Sequence, residues 1–103
     1  MKILIICAVG MSSSLVVKKM QDVAPEGTII DYGIGMSMIE KMDGYDVVLF
    51  GPQLRYKKDE LNEAAENANL PHAFIDMIQY GRAMGKEIYE QAVELYENKG
   101  KNR

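Results

Sequence analysis

Lys2-Ile3-Leu4-Ile5-Ile6-Cys7-Ala8-Val9-Gly10-Met11-Ser12-Ser13-Ser14 is the stretch that decides how this chain folds. Four consecutive large aliphatic residues leave no polar face, so Lys2–Ile6 reads as a strand covered on both sides, the pattern of a parallel sheet. The run stops at Cys7 and passes through small residues into Leu15-Val16-Val17-Lys18-Lys19-Met20, which has helical spacing. A strand followed by a tight turn and a helix puts Cys7 at the positive end of that helix, where unpaired backbone N–H groups and the dipole favour anions. The same surroundings lower a thiol's pKa and hold a phosphoryl group. A buried structural cysteine is the plain alternative. The Gly and Ser residues that follow Cys7 tip the balance toward chemistry.

The rest of the chain repeats the alternation. Ser14–Ala24 carries Val16, Met20 and Val23 on one helical face, and Pro25 with Gly27 closes it. Thr28–Tyr32 reads as a second strand, at a sheet edge. Ser37-Met38-Ile39-Glu40 has the form of a capping box opening a short helix that Gly44 ends. Asp46–Phe50 is the strongest strand signal. Lys57–Ala68 is a helix with Leu61, Ala64, Ala65 and Ala68 inward. After Pro71, His72–Ile75 forms a fourth strand, and Gly81–Tyr96 a final helix with Met84, Ile88, Ala92 and Leu95 as its inner stripe. Asn98–Arg103 is a polar tail. No repeat or linker interrupts residues 1–103, so a single domain is expected.

Four strands, each followed by a helix, predict an α/β fold: one open four-stranded parallel sheet with right-handed crossovers and helices on both faces. The simplest order is 2-1-3-4, with a switch point between strands one and three. Ligands of open α/β sheets bind there, beyond the carboxyl ends of the strands. The loop after Cys7 and the segment Gly51-Pro52-Gln53-Leu54-Arg55-Tyr56 are therefore expected side by side.

Composition narrows the function. The net charge is −3, and Arg55, Arg82 and Arg103 are the only arginines. A nucleic-acid binder would carry a basic face, so no nucleic-acid partner is expected. One cysteine excludes an intramolecular disulfide and suits a reducing cytoplasm. The longest apolar run is too short to span a membrane, and the first residues lack the pattern of a signal peptide. Metal binding fails on ligand number, and no cofactor is implied.

A thiolate at such a turn has several uses. Cysteine phosphatases of low molecular weight place an Arg six residues after the cysteine to clamp phosphoryl oxygens; here that position is Ser13, and there is no Asp-Pro pair to supply an acid. Redox work lacks a Cys-x-x-Cys partner. Acyl transfer needs a base, and His72, the one histidine, precedes its strand and so belongs at the opposite end of the sheet from Cys7. What remains is a thiol that accepts a phosphoryl group and passes it on. A phosphatase or arsenate-reductase-like enzyme, and a regulatory module that has kept the fold without chemistry, stay open at this point.

Lys2 to Leu15, then Tyr45-Asp46-Val47-Val48-Leu49-Phe50-Gly51-Pro52-Gln53-Leu54-Arg55-Tyr56, then Ile75-Asp76-Met77 and Tyr80-Gly81 resemble the enzyme IIB component of the bacterial sugar phosphotransferase system, lactose/cellobiose branch. The combination of Cys-Ala-x-Gly-Met-Ser with Gly-Pro-Gln-x-x-Tyr carries the resemblance, which extends over nearly the whole chain. It implies a cytoplasmic phosphocarrier whose cysteine takes phosphoryl from a phosphohistidine of enzyme IIA. The acceptor is a disaccharide of the cellobiose, chitobiose or lactose class, imported by the membrane component enzyme IIC. By that match Cys7 is the phosphorylated residue, and Ala8, Val9, Gly10, Met11, Ser12, Ser13 and Ser14 form a phosphatase-like phosphate loop. Gln53 and Tyr56 are expected beside it, without an assigned role. Met11, Met36, Met38 and Met77 fall just after strand ends, on the same rim. Flexible methionines suit a face that must dock two partners, although each could simply fill core. The protein is expected to act as a monomer.

Overall fold

Ile3, Leu4, Ile5, Ile6 and Cys7 have no solvent exposure, because strand β1 (Lys2–Cys7) lies inside the sheet with a helical layer on either side. The computed structural model describes residues 1–8 and 10–98, apart from the side chains of residues 10–13 and 36–38; the expected polar tail lies outside it from residue 99 onward. Three further strands complete the sheet: β2 (Ile29–Ile34), β3 (Val47–Phe50) and β4 (His72–Phe74). All pairings are parallel and the order is β2-β1-β3-β4, as the alternation predicts. The register runs Leu4 to Val48 to His72 and Ile6 to Phe50 to Phe74 across the central strands.

Alternate residues of β1 build the two halves of the core. Ile3, Ile5 and Cys7 face helices α1 (Gly10–Val23) and α4 (Gly85–Asn98), which contribute Val16, Met20, Ile88 and Ala92. Leu4 and Ile6 face the other way, onto Leu61 and Ala65 of α2 (Lys58–Asn67), with Met42 and Leu54. Leu95 of the expected α4 stripe packs at the edge of the first half, and Ala64 and Ala68 at the edge of the second.

Four local expectations are corrected. Helix α1 begins at Gly10 rather than Ser14, and Val23, in its last turn beyond the reach of the sheet, is exposed. The segment after β2 is a 3-10 helix, Met36–Lys41, not a capping-box helix opened by Ser37: its N-cap is Gly35, with no side-chain capping bond. Gly35 has φ 84, a left-handed backbone that glycine adopts without strain, and this sets the corner two residues ahead of the expected cap. A second 3-10 helix, Pro52–Lys57, precedes α2. Finally, the last helical stretch is two helices. Helix α3 (Met77–Gly81) starts on Asp76, whose carboxylate accepts from the N–H groups of Ile78 and Gln79 at 3.0 and 3.1 Å. It is separated from α4 by a turn in which Ala83 has φ 50.

The turn sets α4 directly against α1. A Cβ placed on Gly85 would lie 2.4 Å from the carbonyl carbon of Lys19 and 2.6 Å from the backbone N of Met20. Glycine here serves approach rather than conformation: α4 rests on the backbone of α1, and α1 in turn is held over Cys7.

Candidate active site

The carboxyl ends of the strands converge on Cys7. It is the last residue of β1 and pairs with Ile34, the last residue of β2. Its carbonyl accepts from the N–H of Gly35 at 2.8 Å, and the carbonyl of Ile6 accepts from the N–H of Gly51 at 2.8 Å. These two bonds extend the ladder one residue past the sheet on each side, so the loops that leave β2 and β3 are fixed relative to the thiol.

Gly51, the residue after β3, lies against Cys7. A Cβ on it would lie 3.0 Å from Cys7 Sγ, 3.4 Å from Cys7 Cα and 3.0 Å from Gln53 Oε1. Its backbone angles, φ −63 and ψ 147, are open to any residue. The constraint at 51 is therefore space: a side chain here would press on both the sulfur and the Gln53 carboxamide. Pro52, buried, starts the 3-10 helix immediately after and turns Gln53 back toward β1.

Of the segment expected to hold phosphate, Ala8 is exposed in the bend after β1, Val9 lies outside the described residues, and Gly10 to Ser14 belong to the first turns of α1. Of the two residues expected on the neighbouring segment, only Gln53 is brought to the thiol. Tyr56 faces solvent, 75% exposed, with the Lys57 ammonium 6.0 Å from its ring centre. Arg55, the cation nearest Gly51 in sequence, lines a groove with Asp76, Glu87, Glu90 and Glu94 beside β4. His72 is the first residue of β4, at the amino end of the sheet, with Nδ1 3.0 Å from the carbonyl oxygen of Leu70. It registers with Leu4 through Val48, three residues short of Cys7 along the strands, or about 10 Å.

On the rim, Met77 is 68% exposed. The side chains of Met11, Met36 and Met38 lie outside the described residues. Sequence reasoning missed Ile34 and Ile78, which are 51% and 63% exposed around the same end of the sheet. Both read as ordinary core aliphatics; only their positions at the end of an edge strand and in the first turn of a short helix turn them outward.

A family model described as the PTS system, lactose/cellobiose-specific IIB subunit, matches residues 2–91. The chain belongs to that family. Among similar IIB proteins, the oligo-beta-mannoside-specific EIIB component of Bacillus subtilis (strain 168) is 42% identical over 94% of this chain and 97% of its own length. The cellobiose-specific EIIB component of Lactococcus lactis subsp. lactis (strain IL1403) is 36% identical over 86% of this chain and 90% of its own. A galactose-specific EIIB component of Lactococcus lactis subsp. cremoris (strain MG1363) is 37% identical over the same shares. Among solved structures, the cellobiose-specific IIB component of Borrelia burgdorferi superposes with a TM-score of 0.79 at 31% identity, over 96% of this chain and 94% of that one. This IIB chain is thus a component of sugar phosphotransfer, and its four-stranded parallel sheet is the fold of the IIB component. Among its described residues no helix is long and apolar enough to cross a membrane.

Proposed function

We propose that this IIB protein is a cytoplasmic, monomeric phosphocarrier in which Cys7 holds the phosphoryl group. In the first step the Cys7 thiolate attacks the phosphorus of a phosphohistidine on enzyme IIA. The S–P bond forms, the N–P bond breaks, and the imidazole nitrogen keeps the electron pair. In the second step a hydroxyl of the sugar, presented by enzyme IIC, attacks the same phosphorus. The O–P bond forms, the S–P bond breaks, the electron pair returns to sulfur, and the hydroxyl proton leaves to solvent.

The observation that carries this reading is the placement of the chain's one thiol. Cys7 ends β1 three residues before the start of α1, so the N–H groups of the helix's first turn are available as donors to a phosphoryl oxygen. The residues Ala8 to Ser14 act as the phosphate-binding segment, through backbone N–H groups and serine hydroxyls. The lack of an arginine at Ser13 keeps the phosphothiol from becoming a sink. The exposed apolar rim of Ile34, Met77 and Ile78 supports a docking face for enzymes IIA and IIC around the thiol. We assign Met11, Met36 and Met38 to the same face from their positions in the sequence, just after strand ends.

The sugar is a disaccharide of the cellobiose, chitobiose and lactose class. Three relatives of similar identity are named for three different sugars, oligo-beta-mannoside, galactose and cellobiose. So small a spread in the IIB chain against so large a spread in sugar supports choice of substrate by the membrane component. The test is intact-mass measurement after incubation with phosphoenolpyruvate and the upstream phosphocarriers. One added phosphoryl group in the parent and none in Cys7→Ser is the expected result. A Cys7→Ser protein that still accepts and relays phosphoryl would overturn the assignment.

A further inference from the structure

We infer that the Gln53 carboxamide is a direct, uncharged ligand of the phosphoryl group on Cys7, taking the place that a guanidinium holds in cysteine phosphatases. The inference rests on the phosphocysteine reading above and assigns a role to a residue that reading leaves without one.

Three observations carry it. First, a Cβ on Gly51 would lie 3.0 Å from both Cys7 Sγ and Gln53 Oε1, so the carboxamide oxygen and the sulfur are separated by at most twice that distance. A phosphoryl group on the sulfur carries its oxygens outward, within reach of a carboxamide so placed. Second, Gln53 has freedom to serve both states of the thiol. It is exposed, and half a turn about its last bond exchanges an acceptor oxygen for a two-proton donor. With a thiol the oxygen faces sulfur; with a phosphothiol the NH₂ group donates to a phosphoryl oxygen. Third, the nearest cation in sequence is placed elsewhere: Arg55, two residues on, lines the groove with Asp76, Glu87, Glu90 and Glu94. A neutral donor holds the phosphoryl in line without adding a fixed positive charge, which suits a group that must leave again.

The experiment follows phosphorylation of Cys7 by phospho-IIA of the lactose/cellobiose branch in single turnovers, with intact mass as the readout, from pH 5.5 to 8. Parent, Gln53→Ala and Gln53→Glu are compared, each checked for a parental thermal midpoint, which an exposed side chain should leave in place. Loss of one hydrogen bond to a charged group predicts a rate about 10- to 100-fold lower in Gln53→Ala at every pH. Gln53→Glu should be slower still at pH 8, where a carboxylate repels the phosphoryl, and should recover as pH falls and the carboxyl gains a proton to donate. A purely structural role would not separate the two variants by pH. Parental rates in Gln53→Ala, or equal and pH-independent losses in both variants, overturn the role of Gln53 alone. A parent that never gains a phosphoryl group overturns the phosphocysteine reading, and this role with it.

Discussion

Replacing Gly51 by alanine adds one methyl group at the point where β3 touches the thiol, and its consequences can be worked from three distances. The new Cβ would meet Cys7 Sγ at 3.0 Å, Gln53 Oε1 at 3.0 Å and Cys7 Cα at 3.4 Å. Comfortable carbon contacts are about 3.5–4.0 Å, so roughly half an ångström or more must be found. Gln53 is exposed and can swing away at little cost. Cys7 cannot: it is fully buried in β1, with its backbone in contact with the same methyl. The backbone at 51 (φ −63, ψ 147) accepts alanine, so the strain falls on the thiol and not on the turn. Overpacking of this kind costs about 1–3 kcal/mol. For a chain of this length each of those corresponds to a fall of about 4–8 °C in Tm. The functional loss should be larger, because misplacing a reacting atom by about 1 Å costs about 100-fold in rate. The assay pairs urea unfolding with the single-turnover rate of phosphorylation by phospho-IIA, conducted where more than nine-tenths of the variant is folded. Gly51→Ala with a parental rate would show that the close approach of residue 51 to the sulfur has no part in the transfer, and would refute the reasoning for both residues 51 and 53.

Two other glycines should respond in opposite directions. Gly85→Ala drives a methyl into the backbone of Lys19 and Met20 and should cost about 3 kcal/mol, the upper end of the overpacking range, whereas Gly81→Ala, in open space at the end of α3, should gain about 0.4–1 kcal/mol; urea midpoints of both variants check this. The Tyr45 hydroxyl donates to Asp31 Oδ2 at 2.7 Å. That bond, with burial and the Asp31 charge, holds its phenol above the ordinary 10.0. The folded pKa being the higher one, the stabilisation is complete below pH 10 and is lost as pH rises through the folded value. The stability gap between parent and Tyr45→Phe should therefore be constant from pH 7 to 9 and shrink above 10, as unfolding titrations would show; a gap that widens there counts against the bond.

Much of this architecture can be read from local pattern because the pattern is dictated by burial. Lys2–Ile6 is apolar on both alternations since both of its faces are covered, and that places β1 inside the sheet. Asp31 and Tyr32 in β2 break the same pattern since that strand lies at the edge. From these, the order 2-1-3-4 and the meeting of the Cys7 and Gly51 segments follow by topology alone. The departures have a common physical origin in contacts between distant parts of the chain. The glycines at 81 and 85 flank the break without placing it, because the residue that takes the left-handed turn between them is Ala83. The turn is stabilised by what it achieves, the descent of Gly85 onto Lys19, and that contact spans more than sixty residues of sequence. Helix α1 likewise starts at Gly10, a residue of low intrinsic helix propensity, against the reading of Gly10 to Ser14 as loop.

The candidate site divides along the same line. Cys7 is legible because its chemistry is carried by its own strand and turn. Gln53 was visible as a neighbour but not as a partner, since its relation to the sulfur depends on the absence of a side chain at Gly51 and on a 3-10 turn that periodicity does not reveal. Tyr56, equally prominent in the motif, is carried by that same 3-10 helix out to solvent. A motif read from sequence thus fixes which residues arrive at the rim together, and the helical pitch after Pro52 sorts them. One of them, Gln53, keeps its carboxamide oxygen beside Gly51. The other joins Met77, Ile78 and Ile34 on the exposed surface at the carboxyl ends of the strands, where contact with other proteins is possible and contact with the sulfur is not required.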